Sequence, residues 1–448
     1  MLDPDRARAI AESLVQRGLD AGASAADAVY VGGESTSVDV RLGKLEGVDR
    51  SEGEQMGLRL FADQRSATVA SSDLSEDTLA TLVERCLAMA REAPEDPYAG
   101  LAPKEMLERR RAPFIDGADT TDPGPARLKA LALEAEAAAL AIAGVTNSSG
   151  ADASTSATIL ALATSSGFAG AYRTTSYSCS ASAIAGEGSG MQRDHEWHGA
   201  RHFEDVESAR EIGRRAGERA VARLNPARPR PGRYPVLFDP RVSASLLGHF
   251  ASAINAQSVA RKTSFLQDRL NGQVFGRGVT IVDDPLRPRG LRSRPFDDEG
   301  VRVERRELVA DGALTGWIAE SASARQLAIA PTGHAVRSAG GAPGAAPSNL
   351  WMQAGQRSRA DLLAAFPEAV LIVELIGQGV NGVTGDYSRG AVGFMVRGGE
   401  IAEPVSEITI ASNLVDMFAT LEPGSDLQLR RGMDAPTILV PEMTVGAA

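Results

Sequence analysis

Apolar residues recur at helical spacing at the start of the chain. Ala9, Ile10, Leu14, Val15 and Leu19 share one face of residues 3–20, and Gly22 suits the stop. The period then drops to two. Val38, Val40 and Leu42 alternate with polar neighbours, and after a Gly/Glu turn Leu58, Leu60 and Ala62 do the same. Residues 26–72 therefore read as consecutive strands. The run Ser71-Ser72-Asp73-Leu74-Ser75-Glu76-Asp77 places capping and acidic residues at a helix start. A Leu-, Ala- and Met-rich helix follows to about residue 92, and Ala93-Pro94-Glu95-Asp96-Pro97 breaks it.

Residues 98–124 are rich in Pro and charge and read as a linker. Residues 125–143 are almost pure Ala, Leu, Glu and Lys, all strong helix formers. Residues 144–190 turn to Ser, Thr, Ala and Gly. There the apolar run Ile159, Leu160 and Leu162 is separated from Phe168 and Tyr172 by Ser165-Ser166-Gly167, as in a hairpin. A helix over 204–223 ends at Asn225-Pro226-Ala227-Arg228-Pro229-Arg230-Pro231-Gly232, the clearest boundary in the chain. Beyond it, Pro235 to Phe238 is a short strand. Asp239-Pro240 then starts a helix expected to run to about Val259. Short strands and turns dominate from residue 278: 279–282, 301–309, 371–375, 391–396 and 405–410, with a Gly/Pro/Ala loop at 339–349.

Helices beside mostly antiparallel strands give an α+β fold class. An N-terminal α/β part with antiparallel strands and helices precedes a larger, mostly antiparallel β C-terminal domain with one main helix. The expected division is an N-terminal domain at 1–97, a linker at 98–124, a central helix-strand-helix domain at 125–224, a linker at 225–233 and a C-terminal domain at 234–448.

Composition narrows the function classes. The 448 residues are 43% apolar and 23% charged, enough for a sizeable core with an ordinary surface. No run of about 18 apolar residues reads as a membrane span. The N-terminal residues lack a basic start followed by an apolar stretch, so a cytoplasmic location without membrane contact is the expectation. A net charge of −11 disfavours direct nucleic-acid binding. Almost every cation is Arg, and the clusters Arg109-Arg110-Arg111 and Arg228 to Arg233 fall in the linkers, as solvated charge runs do. Cys86 and Cys179 belong to no CxxC or Cys/His cluster and read as reduced, buried thiols.

The motifs that could carry chemistry lack their contexts. Gly377-Gln378-Gly379-Val380-Asn381-Gly382 matches G-x-G-x-x-G after an apolar strand. Its continuation, Val383 to Gly390, is turn-rich, whereas a dinucleotide site needs a helix N-terminus there. His195, His198 and His202 cluster, but Gly199 stands where H-E-x-x-H needs its second His. His249 lies in the helix after Asp239, and Phe250 to Asn255 offer no second imidazole or thiolate. No Gly-x-Ser-x-Gly elbow occurs. No self-sufficient catalytic set is present, although a site built from His195, His198 and His202 or across a homodimer is a competing reading.

Longer runs carry a resemblance. Val383-Thr384-Gly385-Asp386-Tyr387-Ser388-Arg389-Gly390-Ala391-Val392-Gly393-Phe394 is similar to a signature of TldE/PmbA proteins. So are Pro404 to Leu414, Pro441-Glu442-Met443, Ala93 to Leu101 and Gln257 to Leu266, spread over nearly the whole chain. The chain thus resembles the TldE/PmbA subunit of the TldD/TldE peptidase family, also called peptidase U62 or modulator of DNA gyrase.

The resemblance implies a TldD partner that carries zinc on a helix reading His-Glu, three residues, His, with a later Cys. Carried over residue by residue, Gly248 or His249, Phe250 and Ala253 or Ile254 break that pattern, and Arg431-Gly432-Met433-Asp434 supplies no Cys. The implied role is a non-catalytic subunit: no catalytic residue, metal ligand or cofactor in this chain, and zinc in the partner. The implied assembly is a heterodimer with TldD, or a homodimer in isolation, enclosing a cavity for unfolded or short peptides. Asn255, Gln257, Asp386 and Arg389 are the candidate substrate-binding residues. For Asn255 and Gln257 the competing role is capping or core contact; for Asp386 and Arg389 it is a surface-loop ion pair. The alternative function is a protein-binding regulator of DNA gyrase or of toxin–antitoxin systems, without proteolysis.

Overall fold

The structure is a computed structural model and describes residues 1–110 and 112–447; Arg111, in the triple-Arg run, lies outside the described residues. Its N-terminal half is one antiparallel sheet. The strands are β1 (Ala25–Arg41), β2 (Lys44–Ala62), β3 (Arg65–Ser71), β4 (Val145–Thr164), β5 (Ala169–Ala185) and β6 (Gln192–Ala200), in the order β3-β2-β1-β4-β5-β6. β1 pairs with β4 from Asp27 opposite Thr164 to Val40 opposite Ala151, so the segments read as N-terminal and central domains share one sheet.

Period-two alternation sorts the residues of this sheet. Even-numbered positions of β1, from Ala26 to Val40, face four helices. At one end, α1 (Pro4–Asp20) and α2 (Glu76–Glu92) cover Tyr30, Leu58 and Leu60. At the other, α3 (Gly124–Leu140) and α4 (Ala209–Ala222) cover Val38, Val40 and Cys179. The helices α3 and α4 touch backbone to side: a Cβ on Gly213 would lie 1.8 Å from the Ala135 carbonyl oxygen, so only glycine fits. The opposite face, through Val29 and Leu162, packs on Phe296, Val301 and Ala339 of the C-terminal half.

In the C-terminal half β7 (Gly232–Phe238) lies between the strands Glu368–Ile376, parallel to it, and Ile438–Ala447, antiparallel. Strand Asp386–Arg397 pairs with Glu368–Ile376 and with Glu400–Asn413, which pairs back onto Ile438–Ala447. The ring closes, leaving these strands without an open edge between them. α5 (Pro240–Ala253) packs against it through Leu246, Leu247 and Phe250, with Phe275 stacked 4.6 Å from Phe418 beside them. The α+β class holds, with α5 as the main C-terminal helix.

Three expectations are corrected. The helix starting at Asp239 ends at Ala253, because Asn255 leaves the helical conformation and caps a separate turn, α6 (Ala256–Ala260). The 98–124 stretch is packed, not a free linker: Leu107 and Ile115 are buried, and the Arg325 guanidinium donates to the carbonyls of Tyr98, Gly100 and Leu101. The competing three-histidine site is not assembled: the segment runs as β6 through Ala200, which puts His195 and His198, three residues apart, on opposite faces of the strand.

Candidate functional site

The helix α5 is fixed at its start by the Asp239 carboxylate, which accepts from the Arg241 N–H at 3.1 Å, with Pro240 in the first turn. One face is buried by Leu246, Leu247 and Phe250. The face carrying Ser245, Gly248, His249 and Ser252 is only partly covered. The hydroxyls of Ser245 and Ser252 donate back to the helix carbonyls of Val242 and Gly248. Gly248 faces the strand Met433–Asp434: a Cβ there would lie 3.9 Å from the Met433 thioether, an ordinary van der Waals contact.

His249 stands edge-on to Tyr387, with ring centroids 5.9 Å apart and planes at 81°. Its Nε2 and the Tyr387 hydroxyl are buried, and neither has a hydrogen-bond partner among the described residues. Burial lowers the His249 pKa and the nearby Arg389 cation lowers it further, so the ring is neutral at physiological pH. Burial pushes the Tyr387 phenol upward, so it is neutral too. Arg389 lies two residues along the same strand, on the same face as Tyr387, and no carboxylate reaches it within salt-bridge distance among the described residues. The imidazole and phenol are neutral and their polar atoms buried, so the group the arrangement presents outward is the partly exposed Arg389 guanidinium, which can hydrogen-bond a carbonyl or receive an anion.

A zinc ion does not fit these residues. Zinc needs three or four imidazole, thiolate or carboxylate ligands. The helix supplies His249 alone, the facing strand supplies a thioether, and Arg389 adds positive charge. Among the described residues no group of three or more His, Cys, Asp or Glu is placed to hold a metal.

The four residues singled out in the sequence fall in three places. The Asn255 carboxamide caps α6 by accepting from the Gln257 N–H at 3.0 Å and donates to the Ala345 carbonyl at 2.8 Å. Gln257 donates to Glu320 at 3.3 Å. Asp386 accepts from the Thr384 hydroxyl at 2.6 Å and the Asn413 amide at 3.2 Å. Only Arg389 sits beside His249. The surface-loop ion pair expected between Asp386 and Arg389 is absent: both lie on one strand at an odd spacing, which points them to opposite faces. The G-x-G-x-x-G segment is a loop into that strand, with no helix behind it. Three of the four remaining histidines make contacts elsewhere: His198 accepts from the Glu207 N–H, His202 meets Asp116, and His334 lies 3.3 Å from Asp283. Sequence reading missed Tyr387 and Met433. The alternation Tyr387/Arg389 was the available signal for the first; nothing local pointed to the second.

Comparisons place this geometry among known proteins. Three family models match: PmbA/TldA metallopeptidase domain 1 over residues 26–90, the central domain over 118–224 and the C-terminal domain over 231–447. The chain is 36% identical to "Metalloprotease PmbA" of Escherichia coli O157:H7, covering 98% of this chain and 96% of that one. It is 35% identical to a PmbA homologue of Haemophilus influenzae, covering 96% and 94%. Two solved structures share the fold. A protein described as a modulator of DNA gyrase from Bacteroides thetaiotaomicron has a TM-score of 0.91 at 24% identity, covering 99% of both chains. TldE from Thermococcus kodakarensis has a TM-score of 0.86 at 17% identity, covering 98% of this chain and 100% of that one.

Proposed function

This chain belongs to the PmbA/TldD metallopeptidase family, and we propose that within it the chain is the non-catalytic TldE/PmbA-type subunit of a two-chain peptidase. The zinc centre belongs to a TldD-type partner, and the substrates are unfolded or short peptides in the cytoplasm. The observation that carries this reading is the open face of α5. Where a zinc peptidase of this family needs ligands, the face holds Gly248 against Met433, and His249 without a second imidazole. A single metal and one activated water suffice for peptide hydrolysis, so a partner without them contributes walls and contacts.

The same face supplies such contacts. Arg389 is a partly exposed cation without a counter-ion among the described residues, and the neutral His249 and Tyr387 rings are packed beside it, their polar atoms buried. A peptide backbone or terminal carboxylate matches this guanidinium without regard to side-chain sequence.

The test is to mix the purified chain with a TldD-type subunit and zinc, then follow cleavage of an unstructured peptide. The mixture should cleave faster than the partner alone, and chelation should abolish cleavage. Equal rates with and without this chain would overturn the reading, as would chelator-sensitive hydrolysis by this chain on its own.

A further inference from the structure

A second polar site lies at the N-terminal end of α5. A half-open pocket of about 280 Å³ lies between α4, the start of α5 and the segment 426–435. Six arginines line it: Arg215, Arg219, Arg241, Arg359, Arg430 and Arg431. Along α5, Arg241, Ser245 and Gly248 share one face, so the cavity lies roughly 10 Å from Gly248 at the ordinary helical rise.

Five of the arginines have carboxylates behind them. Arg215 pairs with Glu207 and Arg219 with Glu196. Arg241 meets Asp194 at 2.5 Å, Arg359 meets Asp239 at 2.8 Å and Arg430 meets Glu207 at 2.8 Å. Arg431 has no carboxylate within salt-bridge distance among the described residues. Its guanidinium lies over Trp197 at 5.3 Å, and its hydrogen bond to the Arg241 carbonyl is long at 3.4 Å. Asp434 offsets its charge only in part. That carboxylate accepts from the main-chain N–H groups of Arg431 and Gly432, and burial favours its protonated form. The Arg430 Nε is also buried without a hydrogen-bond partner among the described residues.

A half-buried guanidinium without a counter-ion is costly, because desolvation is not repaid by an opposite charge. Burial weighs most against the Arg431 charge. Arg430 and Arg241 add to it, and Glu196 and Asp434 offset only part. The Asp239 cap already occupies the helix N-terminus, so the unmet demand belongs to the guanidinium groups.

We infer that this cavity binds a compact oxyanion, phosphate-like or carboxylate, through Arg431 and Arg430. Planar guanidinium groups match the spacing of such oxygens and bind them through paired N–H donors. The site is independent of the peptidase reading, since neither the partner subunit nor zinc enters the argument.

The experiment measures thermal unfolding and titration calorimetry of the full chain with inorganic phosphate, at ionic strength held constant with sodium chloride. The expected result is a saturable rise in melting temperature that Arg431→Gln abolishes. Gln428→Glu, an exposed change at the same lining that removes no buried group, should raise the half-saturating concentration several-fold and serves if R431Q does not fold. A short acetylated peptide with a free carboxyl end, compared with its amide, distinguishes the source: binding of the acid alone points to peptide tails, and tighter binding of phosphate points to a phosphorylated ligand. No saturable response to either probe, or an unchanged response in Q428E and a folded R431Q, would overturn the inference without touching the peptidase reading.

Discussion

The Met433 thioether stands 3.9 Å from the point where a side chain on Gly248 would begin. That distance is ordinary van der Waals contact, and Gly248 lies in the interior of α5. Glycine there costs helix stability through backbone entropy. Gly248→Ala is therefore expected to stabilise the chain by about 0.5–1 kcal/mol. Urea unfolding measures this, and a destabilised variant would mean that Met433 cannot yield the space.

Arg389 is expected to act in the shared peptidase and not in folding. It is partly exposed and makes one long hydrogen bond, to the Ile376 carbonyl at 3.5 Å. Arg389→Ala should change the unfolding midpoint by no more than about 0.5 kcal/mol. Peptide cleavage by the reconstituted pair should nevertheless fall. Unchanged cleavage kinetics would remove Arg389 from the peptide-binding face.

The Tyr387 hydroxyl is buried without a partner among the described residues, a burden that removing the hydroxyl relieves. Tyr387→Phe keeps the ring against His249 and is expected to be neutral or stabilising by about 1 kcal/mol. A loss of comparable size in chemical denaturation would show that the hydroxyl is hydrogen-bonded in solution.

Stability should fall as pH rises from acid to mildly alkaline. Asp297 is fully buried, and burial, with the neighbouring Glu299 carboxylate, pushes its pKa from 3.8 up to about 8. Burial raises Glu299 as well. An acid whose folded pKa exceeds its unfolded value favours the fold fully below the unfolded value. It loses that contribution as pH climbs toward the folded one. The pair's share of stability should thus decline between about pH 4 and pH 8 and then level off. Melting temperatures across that range test this. A slope unchanged in a folded Asp297→Asn variant would assign the effect elsewhere.

Arg325 ties residues 98–101 to the C-terminal half through bonds of 2.7, 2.8 and 3.0 Å to three carbonyls. Replacing it with Met keeps bulk but leaves those carbonyls without their donor. A loss of about 2–4 kcal/mol is expected, with faster proteolysis near residue 100. Unchanged proteolysis would mean that Leu107 and Ile115 alone hold the segment.

Local pattern determined a great deal about this protein. Period-two alternation in 26–72 and the Ser165-Ser166-Gly167 turn between the apolar runs of 144–190 specify strands, and the helical period of residues 3–20 specifies α1, because those periods decide which side chains share a face. Asp239-Pro240 marked the start of α5, and the residues after His249 showed that its helix lacks a second zinc-binding imidazole.

Tertiary structure decided what local pattern cannot encode. β1 and β4 are separated by more than a hundred residues, and their pairing is a choice of partner that their own alternation leaves open. The break at Asn255 depends on the Ala345 carbonyl, supplied from 90 residues away. Met433 opposite Gly248, Tyr387 against His249 and six arginines around one cavity are likewise meetings between distant segments. The physical reason is the same in each case. Propensity and periodicity act over a few residues, whereas these contacts are settled by how whole faces bury against one another.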